Sequence, residues 1–274
     1  DEIRLDYKEV IEMDYREMAK AVFGRFFPDY GEDAIDAIVE KSYADKFSCD
    51  EITPLVPVSD KHVLELYHGP TSAFKDVALS ALPNLMTVAR DMTGFKDEIL
   101  ILTATSGDTG SAALHGFSDV PGTRIIVFYP EGGVSETQKL QMVTQEGNNV
   151  GVAAVEGNFD DAQNGVKKIF CDEAYKAELE NSGFKLSSAN SINWGRLVPQ
   201  IVYYVYAYAK LLAEEKITEG EKINVVVPTG NFGNILAAFY AKNMGLPIEK
   251  LICASNENKV LFDFFRTGTY DRNR

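Results

Sequence analysis

Short apolar runs alternate with longer segments through most of this chain. Ile99–Leu102, Arg124–Tyr129, Val150–Val155, Ile223–Val227 and Leu251–Ala254 read as buried strands, and the segments between them are long enough for helices. Parallel strands cannot be joined by a tight turn; they need a crossover of about a dozen residues or more, usually a helix. The alternation therefore predicts βαβ units and an α/β fold with parallel sheets. In open α/β sheets, ligands bind beyond the carboxyl ends of the strands. The loops after Leu66, Leu102 and Val227 are accordingly where chemistry is expected.

The remaining elements follow from periodicity and punctuation. Helices are expected at Tyr15–Phe27 and Ala34–Phe47 with a break at Pro28, and a short strand at Val63–Tyr67. Phe74, Val77, Ala78, Ala81, Leu82, Leu85, Met86 and Ala89 keep a helical period, which predicts one helix from Phe74 to Met92, capped by Thr71 or Ser72 and kinked at Pro83. Further helices are expected at Thr109–Phe117, Ser135–Gln145, Phe159–Glu180, Asn193–Glu215 and Gly233–Met244. Ser135 with Gln138 reads as a capping box, and Gly147 as the stop of that helix.

Composition narrows the function. Acids number 41 and Lys plus Arg 27, so the formal charge is 27 − 41 = −14, which argues against a nucleic-acid scaffold. A small anion can still bind locally, because backbone N–H groups and one arginine suffice. No uncharged apolar run reaches the roughly 18–20 residues of a membrane helix. The longest candidate, Leu197–Ala209, holds Pro199, Gln200, Tyr203, Tyr204, Tyr206 and Tyr208, and its tyrosines read as packing against the sheets. Trp194 also reads as packing. Cys49, Cys171 and Cys253 form no CxxC or disulfide pattern; they read as buried structural thiols in a reducing, cytoplasmic setting. His62, His68 and His115 lack metal-ligand spacing; His62 and His115 read as structural, and His68 as support for the loop it opens.

Four loops carry the chemical signal. In His68-Gly-Pro-Thr-Ser-Ala-Phe-Lys75-Asp, a lysine stands at the start of an apolar helix. A helix N-terminus disfavours a cation and lowers its pKa, and a neutral amine can capture an aldehyde. Taken alone, the segment fits a surface lysine equally well. Thr103-Ala-Thr-Ser-Gly-Asp-Thr-Gly110 follows a strand and opens a helix with hydroxyls and free N–H groups, suited to a carboxylate or phosphate; a helix capped by Asp108 is the plainer reading. Pro228-Thr-Gly-Asn-Phe-Gly-Asn234 repeats the strand, glycine turn and helix, without the lysine of a Walker loop or the spacing of a dinucleotide fingerprint. Ser188-Ala-Asn-Ser-Ile-Asn193 leads into a helix with Arg196 in its first turn, a fork suited to a second anion or a solvent-exposed arginine.

Together and in this order, the four motifs resemble the threonine synthase family, pyridoxal-phosphate enzymes of the tryptophan-synthase-β fold (fold type II), over about residues 52 to 256. The resemblance implies two open, twisted α/β domains with mostly parallel sheets. It divides the chain into residues 1–96, an N-terminal helical segment and the start of the larger cofactor domain; 97–202, a smaller mobile domain; and 203–274, the larger domain truncated at its C-terminal end. It implies that Lys75 is the Schiff-base lysine, that Asp108 faces the 3′ oxygen of pyridoxal 5′-phosphate, and that Gly230, Asn231, Phe232, Gly233 and Asn234 cradle the cofactor phosphate. Thr105, Ser106, Gly107 and Thr109 would hold the substrate α-carboxylate; Asn190, Ser191 and Arg196 would grip the substrate phosphate.

The implied reaction converts O-phospho-L-homoserine and water to L-threonine and phosphate. A threonine/serine dehydratase or cysteine synthase would not need Arg196 as a second phosphate clamp; a cofactor-binding fragment without activity is the third reading. The family's usual Ser-Thr-Arg-Gly-like stretch is absent, and the chain opens at Asp1. A fragment lacking both ends is therefore expected. Its Ile223–Val227 and Leu251–Ala254 strands would expose an apolar face, and the residue meeting the pyridine nitrogen would lie beyond Arg274. No metal, nucleic acid or membrane partner is implied, and the oligomeric state is left open.

Overall fold

The computed structural model describes residues 3–228, 231–257 and 259–270. Helix α1 (Tyr15–Phe26) opens with a capping box in which Asp14 and Glu17 each accept from the other's backbone N–H. A 3-10 turn at Pro28–Tyr30 separates it from α2 (Glu32–Tyr43). Strands β1 (Leu55–Val58) and β2 (Lys61–Leu64) form an antiparallel hairpin, so the strand expected at Val63–Tyr67 is one arm of a pair and ends earlier.

The single helix expected over 74–92 is two. Helix α3 (Asp76–Leu79) stops after four residues, and α4 (Leu82–Thr93) starts anew with Pro83 in its first turn. Proline lacks the N–H that a helix interior needs and is tolerated at a helix start, so Pro83 begins a helix instead of kinking one. Neither Thr71 nor Ser72 caps α3; the residue preceding it is Lys75.

The parallel units follow: β3 (Glu98–Ala104), α5 (Asp108–Phe117), β4 (Thr123–Pro130), α6 (Glu136–Val143), β5 (Val150–Val155), α7 (Phe159–Cys171), α8 (Glu173–Asn181) and β6 (Phe184–Ser187). The sheet order is β5-β4-β3-β6, all parallel. The Ser135/Gln138 capping box is present, but α6 ends before Gly147, which turns the chain with φ of 147°. The helix expected over 159–180 breaks at Asp172, whose side chain accepts from Tyr175 N and caps α8. Strand β6 carries no strong periodic signal and was not expected. Helix α9 (Trp194–Ala213), β7 (Ile223–Pro228), α10 (Gly233–Met244), β8 (Ile248–Ala254) and α11 (Val260–Thr267) complete the described chain, with β7 and β8 paired in parallel.

Two apolar cores result. One, containing Ile101, Leu114, Phe117, Ile125 and Val127, fills the four-stranded sheet and its helices. The other is centred on α9, which is buried nearly all round, with Val198, Ile201, Val202 and Tyr208 in its core, and which packs on α1 and α10. Residue 202 thus falls inside a continuous helix. The α9 tyrosines pack, but the ring partners of Tyr206 and Tyr208 lie in the N-terminal helical segment and not in a sheet: Tyr15 meets Tyr206, and Tyr7 meets Tyr208, edge to face. Trp194 packs edge-on against Phe26 and Tyr240. On the β7–β8 side, Val226, Phe239, Ile252 and Phe265 are exposed. The cysteines depart from expectation: Cys171 is exposed at the end of α7, and Cys49 and Cys253 are only half-buried. Among the described residues no helix is long and apolar enough to cross a membrane.

Candidate active site

The Lys75 loop is locked by its own next residue. Asp76, 2% exposed, folds back so that its carboxylate accepts from Thr71 N (2.8 Å) and Thr71 Oγ1 (2.6 Å). Burial raises the Asp76 carboxyl above its ordinary value, and these bonds oppose that rise. His68 lies behind the loop, held between Glu65 Oε2 (2.8 Å) and Ser48 Oγ (2.9 Å). Lys75 is thereby turned to the far side, where Nζ donates to Asp108 Oδ2 at 3.1 Å. The four-residue α3 has little dipole to offer, so the helix field contributes little to lowering the amine. Burial instead lowers the lysine, against the opposing Asp108 carboxylate and with added repulsion from Arg196. Burial pulls the Asp108 carboxyl upward, but Lys75 and the hydrogen bonds outweigh it and hold it below its ordinary value.

The loop after β3 is built on a glycine. Gly107 has φ of 139°, where a side chain is strained, and a Cβ there would lie 2.4 Å from the Gln138 amide. That closeness lets Gln138 Nε2 donate to Asp108 Oδ1 at 2.6 Å, so both carboxylate oxygens are engaged. Thr105 Oγ1 accepts from Gly107 N and Gly110 N, each at 2.9 Å, and so braces the loop itself. Ser106 is exposed and Thr109 half-buried.

The 188–196 segment holds two buried polar atoms without a partner among the described residues. Asn193 caps α9 by accepting from Gly195 N, and donates to Ser188 O at 2.9 Å. Arg196 is 1% exposed, and its Nη1 donates to Ala189 O at 2.8 Å. Arg196 Nε and Asn190 Oδ1 are buried with no hydrogen-bond partner among the described residues. Burial pushes the Arg196 guanidinium down to about 10.

These loops meet around a cavity of about 430 Å³, which suits a small organic ligand. Lys75, Thr105, Ser106, Thr109, Asn190, Ser191, Asn231, Phe232, Gly233 and Asn234 line it, together with Phe74, Ala104 and Pro228. Ala104 and Pro228 end β3 and β7, so the cavity lies beyond the carboxyl ends of two parallel strands. Gly233 permits the two sides to approach: a Cβ there would sit 2.6 Å from Ser191 Oγ. Gly107, Asp108 and Arg196 stand behind the lining. Gly230 lies outside the described residues. Phe159 and Gln163 of α7 also line the cavity and escaped sequence reasoning; the start of a helix after β5 was the available signal. Gln138 has a second role beyond the capping box, as the donor to Asp108 Oδ1. His62 and His115 are exposed and away from the cavity, and among the described residues no side-chain cluster could hold a metal ion.

A half-buried amine poised below its ordinary proton affinity, beside glycine-rich turns at parallel strand ends, is the arrangement that an aldehyde cofactor carrying a phosphate requires. The sequence pattern described as pyridoxal-phosphate dependent enzyme matches residues 52–274, and the chain belongs to that family, with the fold type II architecture. Its similarity within the family is to threonine synthases. It is 42% identical over 275 residues to human threonine synthase-like 1, covering 97% of this chain and 37% of that protein. It is 41% identical over 275 residues to the threonine synthase of Eremothecium gossypii, covering 95% of this chain and 51% of that protein. The crystal structure of pyridoxal-phosphate-bound threonine synthase from Brucella melitensis superposes with a TM-score of 0.86 at 38% identity, over 99% of this chain and 57% of that chain. The chain thus spans between about a third and somewhat over half the length of these relatives.

The family's cofactor is pyridoxal 5′-phosphate. The residues present fit it: Lys75 offers an amine to an aldehyde, and the Gly233 turn leaves room that a Cβ would fill.

Proposed function

We propose that this protein converts O-phospho-L-homoserine and water to L-threonine and phosphate. The observation that carries the reading is Lys75, half-buried, paired to Asp108 and facing a cavity bordered by two separate anion-suited segments. One anion site would serve a cofactor alone. The buried, unpartnered Arg196 Nε beside the second favours a substrate that brings its own phosphate.

In this reading Lys75 would hold the cofactor through its ε-amine, and the 231–234 turn would hold the cofactor phosphate. When bound, the cofactor supplies the electron sink that makes the substrate Cα and Cβ protons removable. The α-carboxylate is oriented by Ser106 and Thr109 with the loop N–H groups, which Thr105 keeps in place. Arg196, supported by Asn190 and Ser191, attracts the leaving phosphate. Lys75 then moves protons: it takes them from Cα and Cβ, phosphate leaves with its oxygen from Cγ, a proton is placed on Cγ, water adds its hydroxyl at Cβ, and a proton returns to Cα. The sum consumes one water and releases one phosphate. The 97–202 segment would close on the substrate, because it carries the carboxylate and substrate-phosphate residues while the cofactor turn lies outside it.

The test is direct. Cofactor-loaded protein given O-phospho-L-homoserine should release threonine and phosphate in equal amounts. Release of ammonia and a 2-oxo acid would instead favour the dehydratase reading.

A further inference from the structure

Tyr203 and Tyr204 are neighbours on α9, yet their hydroxyls converge on one atom. Tyr203 Oη lies 2.7 Å and Tyr204 Oη 2.5 Å from Asn234 Oδ1 on α10. Both are O–H···O lengths, shorter than the roughly 2.9–3.0 Å of an N–H···O bond, so two phenols donate to the carbonyl corner of the amide. Burial holds both phenols well above the ordinary tyrosine range, so each keeps the proton it donates. Gln200 Oε1, at 3.3 Å, and the Tyr204 hydroxyl also face the Tyr203 hydroxyl, and Asn234 Oδ1 is nearer than the Gln200 oxygen, whose amide donates through Nε2 to Arg196 O. The two rings are 0% and 7% exposed, which fixes their hydroxyls in place.

A planar amide has two corners. With Oδ1 held by two phenols, Nδ2 is the corner left for the cavity that Asn234 lines beside Asn231 and Gly233. No hydrogen bond from Nδ2 to protein is present among the described residues. An asparagine free to flip would present its oxygen as readily, and an oxygen repels an anion. We propose that Tyr203 and Tyr204 are positioning residues that hold the Asn234 amide with its N–H donor toward the cavity, and so make this turn select a phosphate ester over the corresponding uncharged alcohol. The inference rests on the reading of this turn as the cofactor-phosphate site. It adds two residues, remote in function from the glycine turn, that set the turn's preference for charge.

Equilibrium dialysis of the cofactor-free protein against pyridoxal 5′-phosphate and, separately, against pyridoxal tests this. The ratio of the two affinities measures phosphate selectivity. The wild type should prefer pyridoxal phosphate. The Y203F/Y204F variant should lose about tenfold of that preference while its affinity for pyridoxal changes less than about twofold. The single variants Y203F and Y204F, each keeping one donor, should lose less and guard against a double variant that folds poorly. N234A should lose the preference too, and adding the tyrosine changes to N234A should cost nothing more, because residues acting through one amide are coupled. Unchanged selectivity in the tyrosine variants, even with a lowered melting temperature, would overturn the proposal and leave the pair as packing. Additive losses with N234A would overturn it as well. A wild type that binds pyridoxal as tightly as pyridoxal phosphate would overturn the reading of the site itself, and the proposal with it.

Discussion

Lys75 and Asp108, 33 positions apart, meet at 3.1 Å across the gap between α3 and α5. The pairing sets the chemistry of the lysine. Burial favours the neutral amine and the carboxylate favours the ammonium, with burial the stronger. Gln138, engaging the other oxygen, keeps the carboxylate turned toward the lysine.

Capture of an aldehyde needs the neutral amine, so its rate should fall as the pH drops through the lowered Lys75 pKa. Asp108→Asn removes the two largest influences that raise that pKa, leaving only the smaller pull of Asp76 against burial and Arg196. The pH midpoint of Lys75 labelling by an amine-selective reagent, measured in cofactor-free protein, should therefore move lower. A midpoint that stays or rises would show that Asp108 does not govern the amine.

Borohydride reduction of the cofactor-loaded protein followed by peptide mapping should place the pyridoxyl group on Lys75, and Lys75→Ala should abolish the adduct. An adduct on Lys46, whose amine burial also lowers, would move the assignment there.

Arg196→Ala removes a buried charge and a charge-assisted bond worth about 1.5–3 kcal/mol. Affinity for O-phospho-L-homoserine should fall about ten- to a hundredfold, with cofactor binding close to wild type. Equal loss of both, read by titration, would mean that the two anion sites are exchanged.

Gly116 is pressed against the backbone of α3: a Cβ would lie 2.2 Å from Leu79 O, which cannot move as a side chain end could. Gly116→Ala should destabilise the protein by about 1–3 kcal/mol, and it should also disturb the Lys75 loop that α3 anchors. Thermal unfolding gives the first effect, and slower pyridoxal phosphate uptake the second.

If the 97–202 segment closes on substrate, structures with and without a phosphohomoserine analogue should differ by a rigid-body rotation of its four-stranded sheet. The Gly233–Ser191 approach is the expected point of contact. Superimposable cores in the two states would refute closure.

Much of this was legible in the chain itself. The α/β class, the parallel pairing of β3, β4 and β5, the capping boxes and three of the four glycine- or hydroxyl-rich loops rest on periodicity and on contacts within a few residues, which neighbours along the chain decide. Where a proline or aspartate ended one helix and began another, at Pro83 and Asp172, the local signal was present but ambiguous. The site depended on distance in space. That Thr105 spends its hydroxyl on its own loop, that Arg196 is buried instead of solvent-exposed, that Gln138 steadies Asp108 and that Tyr203 and Tyr204 converge on Asn234 all follow from how α9 is packed and how the strand ends are juxtaposed. Periodicity marks which face of an element is apolar, but the partner of a polar side chain is chosen by the close packing of elements far apart in sequence, and only the folded chain brings those together.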